Sequence, residues 1–269
     1  MYIKEVTLEN FRNYEKQKVE FNENINIIYG NNAQGKTNII ESIFLCAFGK
    51  SYRAKKDIDL IKFNTNNSSV EVQYRKTDRE GKIRANIKEK KTFFINDIKQ
   101  NKISDIIGKI NVVIFTPDDI EIIKDGPQRR RKFLDMMISS LKPNYIHLLN
   151  LYNKTLEQRN NYLRQIKYEN KNPQMLDIWD EQLSEYAVNI YEYRKYYIEK
   201  ISEKIESFHS LITKSGKEEI KIKYISNSNN KEKFLENLRK SRNIDIKRGY
   251  TATGVHRDDL MIYVNSKPV

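Results

Sequence analysis

Apolar and polar residues alternate, or apolar residues form short runs, in several segments between residues 1 and 115. Such patterns predict β-strands with at least one buried side. The predicted strands cover residues 3–8, 17–21, 25–29, 70–74, 83–87, 92–95 and 112–115. After Gly35 the spacing changes to that of a helix, with Ile39, Ile43 and Ala47 on one face, and Gly49 is a helix stop.

Residues 127–212 are predicted to be helical, and most of this range shows a second pattern, with apolar residues three and four positions apart. It extends from Tyr145 to Ile166, breaks at 170–173, and continues from Leu176 to Ile212. Two such helices with a short link predict an antiparallel helical hairpin over about 143–212. The aromatic stripe along it is explained better by the seam of this hairpin than by a platform for stacked bases.

The last fifty residues return to mixed structure. The pattern predicts a strand at 220–225, a helix at 231–239 and a strand at 260–264. Asn265 and Ser266 suit a hairpin turn, so a further strand is expected to begin there.

Residues 30–37 read Gly-Asn-Asn-Ala-Gln-Gly-Lys-Thr, which matches the phosphate-binding pattern G-x-x-x-x-G-K-[ST] between a predicted strand and a predicted helix. Gly30 and Gly35 admit backbone angles that let the loop turn its N–H groups toward phosphate oxygens. Lys36 supplies a positive charge, and Thr37 offers a hydroxyl to Mg²⁺. The predicted ATP-binding residues are Gly30, Asn31, Asn32, Ala33, Gln34, Gly35, Lys36 and Thr37.

An ATPase also needs a carboxylate at the end of a buried strand. Asp118 and Asp119 follow the predicted strand 112–115, but Thr116 and Pro117 intervene and argue against direct metal contact. The segment Asn-Lys-Ile-Ser-Asp at 101–105 is one residue too long for the guanine-reading pattern N-K-x-D, so adenine is favoured.

The chain of 269 residues carries 49 Lys and Arg against 36 Asp and Glu, a net charge of +13. This surplus favours polyanionic partners such as DNA or RNA. The competing explanation of the positive charge is that the whole sequence is rich in Lys, Asn and Ile. No apolar run approaches the roughly 18–20 residues that span a bilayer, and Cys46 alone builds no disulfide framework. A cytoplasmic protein without a membrane segment is expected.

Arg129, Arg130 and Arg131 stand at the start of a predicted helix, close to its positive dipole end. Contact with phosphates of DNA, or of nucleotide across an interface, is one interpretation of this run. Packing and ion pairing between lobes is the other.

Three blocks together resemble the RecF family, in the SMC-like branch of ABC ATPases. They are Leu-Glu-Asn-Phe-Arg-Asn-Tyr at 8–14, the stretch 115–135 around Phe-Thr-Pro-Asp-Asp, and the stretch 248–260 around His-Arg-Asp-Asp. The resemblance implies an α/β fold, a P-loop ABC-type ATPase head with an inserted helical-hairpin second lobe. It further implies an ATPase lobe at 1–126, a helical lobe at 127–250, and a strand returning toward the first lobe at 251–269.

The resemblance also implies a function. Family members bind single-stranded and linear double-stranded DNA, form ATP-dependent homodimers, and assist recombinase loading at gaps with RecO and RecR. Their setting is DNA repair, replication restart and the SOS response. Arg12 is expected to reach the nucleotide phosphates, with an ordinary exposed arginine as the alternative.

Two departures from the family pattern affect the expected activity. The ABC signature and the Walker B aspartates are not in the sequence, so the C-terminal part of the ATPase lobe is expected to be missing and ATP hydrolysis to be poor. The family context also places Asp118 and Asp119 nearer a Q-loop than Walker B. Val255 stands where the family usually has proline, which affects local turn geometry.

Two other classes of function remain open from the sequence. One is a P-loop kinase of a small metabolite, which would need a lid and a compact acceptor pocket. The other is a non-catalytic fragment whose hairpin docks a partner. DNA binding that ATP stimulates would distinguish a DNA-binding ABC-type ATPase from both of these alternatives.

Overall fold

The structure, a computed structural model, describes residues 1–77, 79–213 and 218–269. The chain folds into two compact units, Met1–Ile114 and Phe115–Val269. The predicted division at residue 126 lies further along the chain. The difference arises because the segment before residue 126 belongs with the helices that follow it: Arg130 Nη1 donates to the Ile122 and Asp125 carbonyl oxygens at 3.3 and 2.7 Å.

The first unit is built on an antiparallel sheet of six strands in the order β2-β1-β3-β4-β5-β6. The strands are β1 (Tyr2–Phe11), β2 (Tyr14–Glu20), β3 (Ser68–Lys76), β4 (Arg79–Ile87), β5 (Thr92–Ile95) and β6 (Ile98–Lys99). One face of the sheet packs against helix α1 (Lys36–Phe48). The five strands predicted in these segments are confirmed, although β2 ends one residue before the predicted end at residue 21.

The core of the first unit lies between α1 and the inward face of the sheet. Alternate strand positions are fully buried, among them Val6, Val70, Val72 and Ile83. Cys46 of α1 is also buried there, and desolvation raises the pKa of its thiol far above the ordinary value. Its role is therefore that of a small apolar core residue.

Two predicted strands, 25–29 and 112–115, do not form. Neither segment pairs with a strand within the described residues, and several of their apolar side chains face solvent. Ile27 is 80% exposed and Val113 is 97% exposed. A strand needs a neighbour to satisfy its backbone N–H and C=O groups, and no segment of residues 1–77, 79–213 or 218–269 supplies one.

The second unit is largely helical. Its helices are α2 (Glu121–Lys124), α3 (Pro127–Leu141), α4 (Pro143–Glu169), α5 (Leu176–Thr213) and α6 (Lys231–Arg248). Helices α4 and α5 form the predicted hairpin, and its aromatic stripe is a packed seam with Tyr145 and Tyr152 fully buried. Because α5 has 38 residues and α4 has 27, the last apolar residues of α5 lie exposed, including Phe208 and Ile212.

A small three-stranded sheet completes the second unit. It consists of β7 (Ile220–Ile225), β8 (Asp259–Val264) and β9 (Lys267–Pro268), in that order. The predicted strand at 260–264 forms as β8 and pairs antiparallel with β7. The expected return of the C-terminal segment toward the first lobe stays a prediction. The predicted turn before β9 is confirmed, since Asn265 and Ser266 both have positive φ.

Among the described residues, no helix combines the length and the apolar composition that a membrane crossing requires.

Candidate nucleotide-binding site

The phosphate-binding loop leads directly into α1, whose N-cap is Gly35. The loop reverses direction through positive φ angles of 144° at Gly30, 64° at Ala33 and 100° at Gly35. The angles at Gly30 and Gly35 both lie where L side chains are strained, so both positions favour glycine. Residues 30–34 are exposed, so the loop is open to a ligand from solvent.

Lys36 closes the loop on itself. Its Nζ donates to the carbonyl oxygens of Gly30 at 2.8 Å and Asn31 at 2.6 Å. An ammonium group has three donors, so two of them fix the start of the loop and the third is left for a ligand. The charge of Lys36 is thereby held at the mouth of the loop.

The start of α1 favours an anion. Its first backbone N–H groups have no earlier helical carbonyls to bind, and they carry the positive end of the helix dipole. No acidic residue lies in the first turn to neutralise that potential. Thr37 is exposed at the same place. The geometry therefore suits phosphate oxygens, with a hydroxyl beside them for a metal ion.

The turn between β1 and β2 packs tightly on the loop. A Cβ atom placed on Gly35 would lie 2.7 Å from Asn13 Oδ1 and 2.8 Å from Tyr14 Cζ. Asn38, one residue after Thr37, donates through Nδ2 to Asn13 Oδ1 at 2.8 Å. This contact orients the first turn of α1 relative to the sheet.

Arg12 makes its contacts with a carboxylate of the protein. Its Nε and Nη2 donate to the two oxygens of Glu41 at 3.0 and 2.7 Å, and its Nη1 donates to the Asp59 carbonyl at 2.7 Å. The alternative of an ordinary exposed arginine is wrong, because the side chain is mostly covered. The expected role at the nucleotide phosphates stays a prediction.

Sequence reasoning missed Glu41, which is fully buried in α1. Besides Arg12, Ser51 Oγ donates to it at 2.5 Å and the Arg53 guanidinium lies 3.6 Å away. Arg53 also donates to Asn38 Oδ1 at 3.1 Å. No periodic signal marks Glu41, because it occupies a position on the buried face of an otherwise apolar helix.

Asp118 and Asp119 lie in a 3-10 turn, Pro117–Ile120. Asp119 Oδ2 accepts from the backbone N and Oγ1 of Thr116 at 2.5 and 3.1 Å, so its carboxylate caps the turn. Within the described residues, no group of three or more His, Cys, Asp and Glu could hold a metal ion.

The three arginines at the start of α3 form ion pairs and hydrogen bonds with other residues of the second unit. Arg130 makes a two-point contact with Asp259 at 2.7 and 3.0 Å, and Arg131 Nη1 donates to the Asp258 carbonyl at 2.6 Å. Arg129 forms ion pairs with acidic residues on the segment before α3. These contacts favour ion pairing inside this unit over the interpretation as a DNA contact.

Comparison with known proteins decides the family. A family model described as the RecF/RecN/SMC N-terminal domain matches residues 2–178. The DNA replication and repair protein RecF of Clostridium acetobutylicum is 44% identical over 98% of this chain and 74% of its own length. The chain belongs to the RecF family. RecF of Clostridium tetani, at 41% identity, matches over 99% of this chain.

A solved structure agrees with this assignment over both units. It is described as the recombination mediator protein RecF with ATP in the RecFOR pathway, and it is 40% identical with a TM-score of 0.94. The match covers 99% of this chain and 74% of that one. Membership of the RecF family confirms the predicted ABC-type head and a role in DNA replication and repair. The metabolite-kinase alternative is thereby set aside.

Proposed function

We propose that this chain binds ATP with Mg²⁺ at residues 30–37 and binds DNA in recombinational repair and replication restart. The observation that carries the proposal is the loop at the start of α1. There Lys36, the first-turn N–H groups and Thr37 converge where no acidic residue opposes an anion. The similar protein at 40% identity is described with ATP, which supports the choice of nucleotide.

Each part of the loop has a task in this proposal. The first-turn N–H groups of α1 and the loop amides hold the phosphate oxygens. Lys36 places its third donor and its charge on the outer phosphates, and Thr37 Oγ1 binds Mg²⁺. Asn13 and Tyr14 hold Gly35 from the side, so the loop keeps its shape when the ligand arrives.

The wider role follows from the RecF family. We propose single-stranded and linear double-stranded DNA as ligands, RecO and RecR as partners, an ATP-dependent homodimer and a cytoplasmic location. The similar protein with ATP is described as part of the RecFOR pathway, which supports these partners.

Calorimetric titration with ATP–Mg²⁺ tests the nucleotide site. In Lys36→Ala a charge-assisted contact with phosphate is lost, which costs roughly 1.5–3 kcal/mol and weakens ATP binding about 10- to 150-fold. Lys16→Ala, at an exposed lysine on β2, is the matched control and should bind as the unmodified chain does. Equal affinity in both variants would remove Lys36 from the site.

Fluorescence anisotropy with labelled single-stranded and duplex DNA tests the second half of the proposal. We expect binding by the unmodified chain that tightens in ATP–Mg²⁺ and weakens in Lys36→Ala under the same conditions. DNA binding that is indifferent to ATP would leave a DNA-binding protein without nucleotide control. No DNA binding would overturn the proposed role of this chain.

A further inference from the structure

Five exposed lysines lie at one end of the sheet in the first unit. Within residues 1–77, 79–213 and 218–269, none of the five takes part in an ion pair. We call this set the lysine edge, and its members are Lys55, Lys56, Lys88, Lys90 and Lys102.

The sheet register brings these lysines together from three separate segments. Strand β4 ends at Ile87, opposite Ser68 at the start of β3, and β5 begins at Thr92 opposite Asn86. The turn 88–91 therefore projects from this end of the sheet. The chain returns to the same end after β6, because the Gln100 backbone N donates to the Phe93 carbonyl at 2.8 Å.

An ion pair ties the segment after α1 to the turn 88–91. Lys91 Nζ lies 2.5 Å from Asp57 Oδ1, and the Lys91 side chain is nearly covered. Lys55 and Lys56, just before Asp57, are thus held beside Lys88 and Lys90. The paired Lys91 fixes the arrangement, whereas its unpaired neighbours face solvent.

The carboxylates at this edge that lack a lysine partner are fewer than the five lysines. Asp57 is paired with Lys91. Asp59 Oδ2 accepts from the backbone N of Lys56 at 3.3 Å, and Asp105 Oδ2 accepts from the backbone N of Lys102 at 3.1 Å. Glu89 is the remaining exposed carboxylate of the turn 88–91. Unpaired cations that outnumber nearby carboxylates concentrate a positive potential, which attracts a polyanion.

The size of the lysine edge suits a nucleic-acid backbone. The turn 88–91 joins β4 to β5 and Lys102 follows β6, so these lysines lie across two inter-strand steps, which at about 4.8 Å each span roughly 10 Å. Successive phosphates of one strand of duplex DNA are about 3.4 Å apart along the axis. The edge is therefore long enough to follow several phosphates.

The lysine edge and the phosphate-binding loop lie at the same end of the sheet. Strand β1 ends there, with Glu9 opposite Ser69, and the turn after it packs on Gly35. We propose that the lysine edge is a DNA phosphate-binding surface of this chain, next to its nucleotide site. The inference rests on the proposed function, because it takes DNA as the ligand.

Charge reversal tests the surface with a control of the same size. The variant Lys56→Glu, Lys88→Glu, Lys90→Glu removes three contacts, so duplex affinity should fall at least about tenfold and the salt slope by roughly 2–3. The control Lys154→Glu, Lys223→Glu, Lys247→Glu changes three exposed lysines of the second unit by the same total charge. The duplex affinity of this control should stay within about threefold of that of the unmodified chain, since the control removes only a diffuse attraction.

The milder pair Lys88→Gln, Lys90→Gln should show an intermediate loss of duplex affinity. ATP titration of each variant reports whether the nucleotide site is still folded.

Each outcome has a distinct meaning. An edge variant with unchanged affinity and salt slope, while the unmodified chain binds DNA, overturns the surface but not the proposed function. An equal loss in the edge and control variants also overturns it, because net charge alone then explains binding. Absence of DNA binding in the unmodified chain overturns the proposed function and removes the ligand of this surface.

Discussion

Gly35 has two separate constraints at the centre of the nucleotide site. Its φ of 100° is closed to most side chains, and a Cβ atom would meet Asn13 and Tyr14 at less than 3 Å. The sequence motif shows the first constraint in general terms. The second depends on the β1–β2 turn, which the motif does not contain.

Replacement of Gly35 by alanine should therefore disrupt the loop. Left-handed strain costs roughly 1–2 kcal/mol, and the contact with Asn13 forces a further shift, so ATP binding should weaken at least about tenfold in a calorimetric titration. Gly126→Ala is the control, since Gly126 has an ordinary φ of −66° and no neighbour within 4 Å of an added Cβ. A Gly35→Ala protein with unchanged affinity would contradict this account.

His256 is a partly buried histidine of the second unit that is neutral at pH 7. Tyr152 Oη lies 2.7 Å from its Nδ1, and its Nε2 lies 3.1 Å from the Thr251 carbonyl. These partners suit the tautomer whose Nε2–H donates to Thr251 while Nδ1 accepts from Tyr152. Desolvation lowers the pKa of His256 to about 4, partly opposed by Thr251 and assisted by nearby arginines.

This lowered pKa predicts a loss of stability in acid. The unfolded chain, with a histidine pKa near 6.5, binds a proton at a pH where the folded chain does not. The contribution of His256 is therefore present above pH 6.5 and is lost as pH falls toward about 4, a change of roughly 1–3 kcal/mol.

Urea denaturation at pH 7 and pH 5 measures this effect. His256→Gln should show a smaller difference in unfolding free energy between the two pH values than the unmodified chain. His147→Gln is a suitable control, because His147 lies elsewhere in the unit on α4. If His256→Gln and the unmodified chain lose the same stability in acid, His256 is not the responsible group.

At the scale of elements, the Arg194 guanidinium ties together α3, α4 and α5 of the second unit. Arg194 of α5 is buried and donates to Asp135 of α3 at 3.0 and 3.1 Å, and to the Val255 carbonyl at 2.7 Å. It also lies 3.1 Å from the Tyr145 hydroxyl of α4. The hairpin pattern gives no sign of this cluster, because its partners are far apart along the chain.

Loss of this guanidinium should destabilise the unit strongly. In Arg194→Met the aliphatic volume is kept but Asp135 loses its buried partner, and breaking such a pair costs about 3–5 kcal/mol. Circular dichroism at increasing urea concentration measures the change. Lys195→Met, at the exposed neighbouring position, should change stability by less than about 0.5 kcal/mol. A loss below about 1 kcal/mol in Arg194→Met would mean that water or another cation replaces it.

The unpaired segments 25–29 and 112–115 show that an apolar pattern does not reveal whether a strand has a partner. Their apolar residues have strand propensity, but no described residue pairs with either segment. The α4–α5 hairpin was predictable because each helix satisfies its own backbone and needs only one apolar stripe. A strand depends on a partner that its own sequence does not specify.

At the scale of the whole molecule, the lysine edge and the nucleotide loop share one end of the sheet. Lys56, Lys88 and Lys102 are far apart in sequence, and the register of β3, β4 and β5 brings their segments together. The net charge of +13 indicated a polyanionic partner without a location. The arrangement of unpaired lysines supplies that location.

The sequence by itself determined the phosphate-binding loop, α1, the helical hairpin and the resemblance to the RecF family. These features are local, because turn chemistry and helical spacing act over a few residues. The tertiary structure alone decided that Arg12 binds Glu41, that β8 pairs with β7, and that Arg130 binds Asp259. Each of these depends on groups distant in the chain, whose pairing follows from how the elements pack.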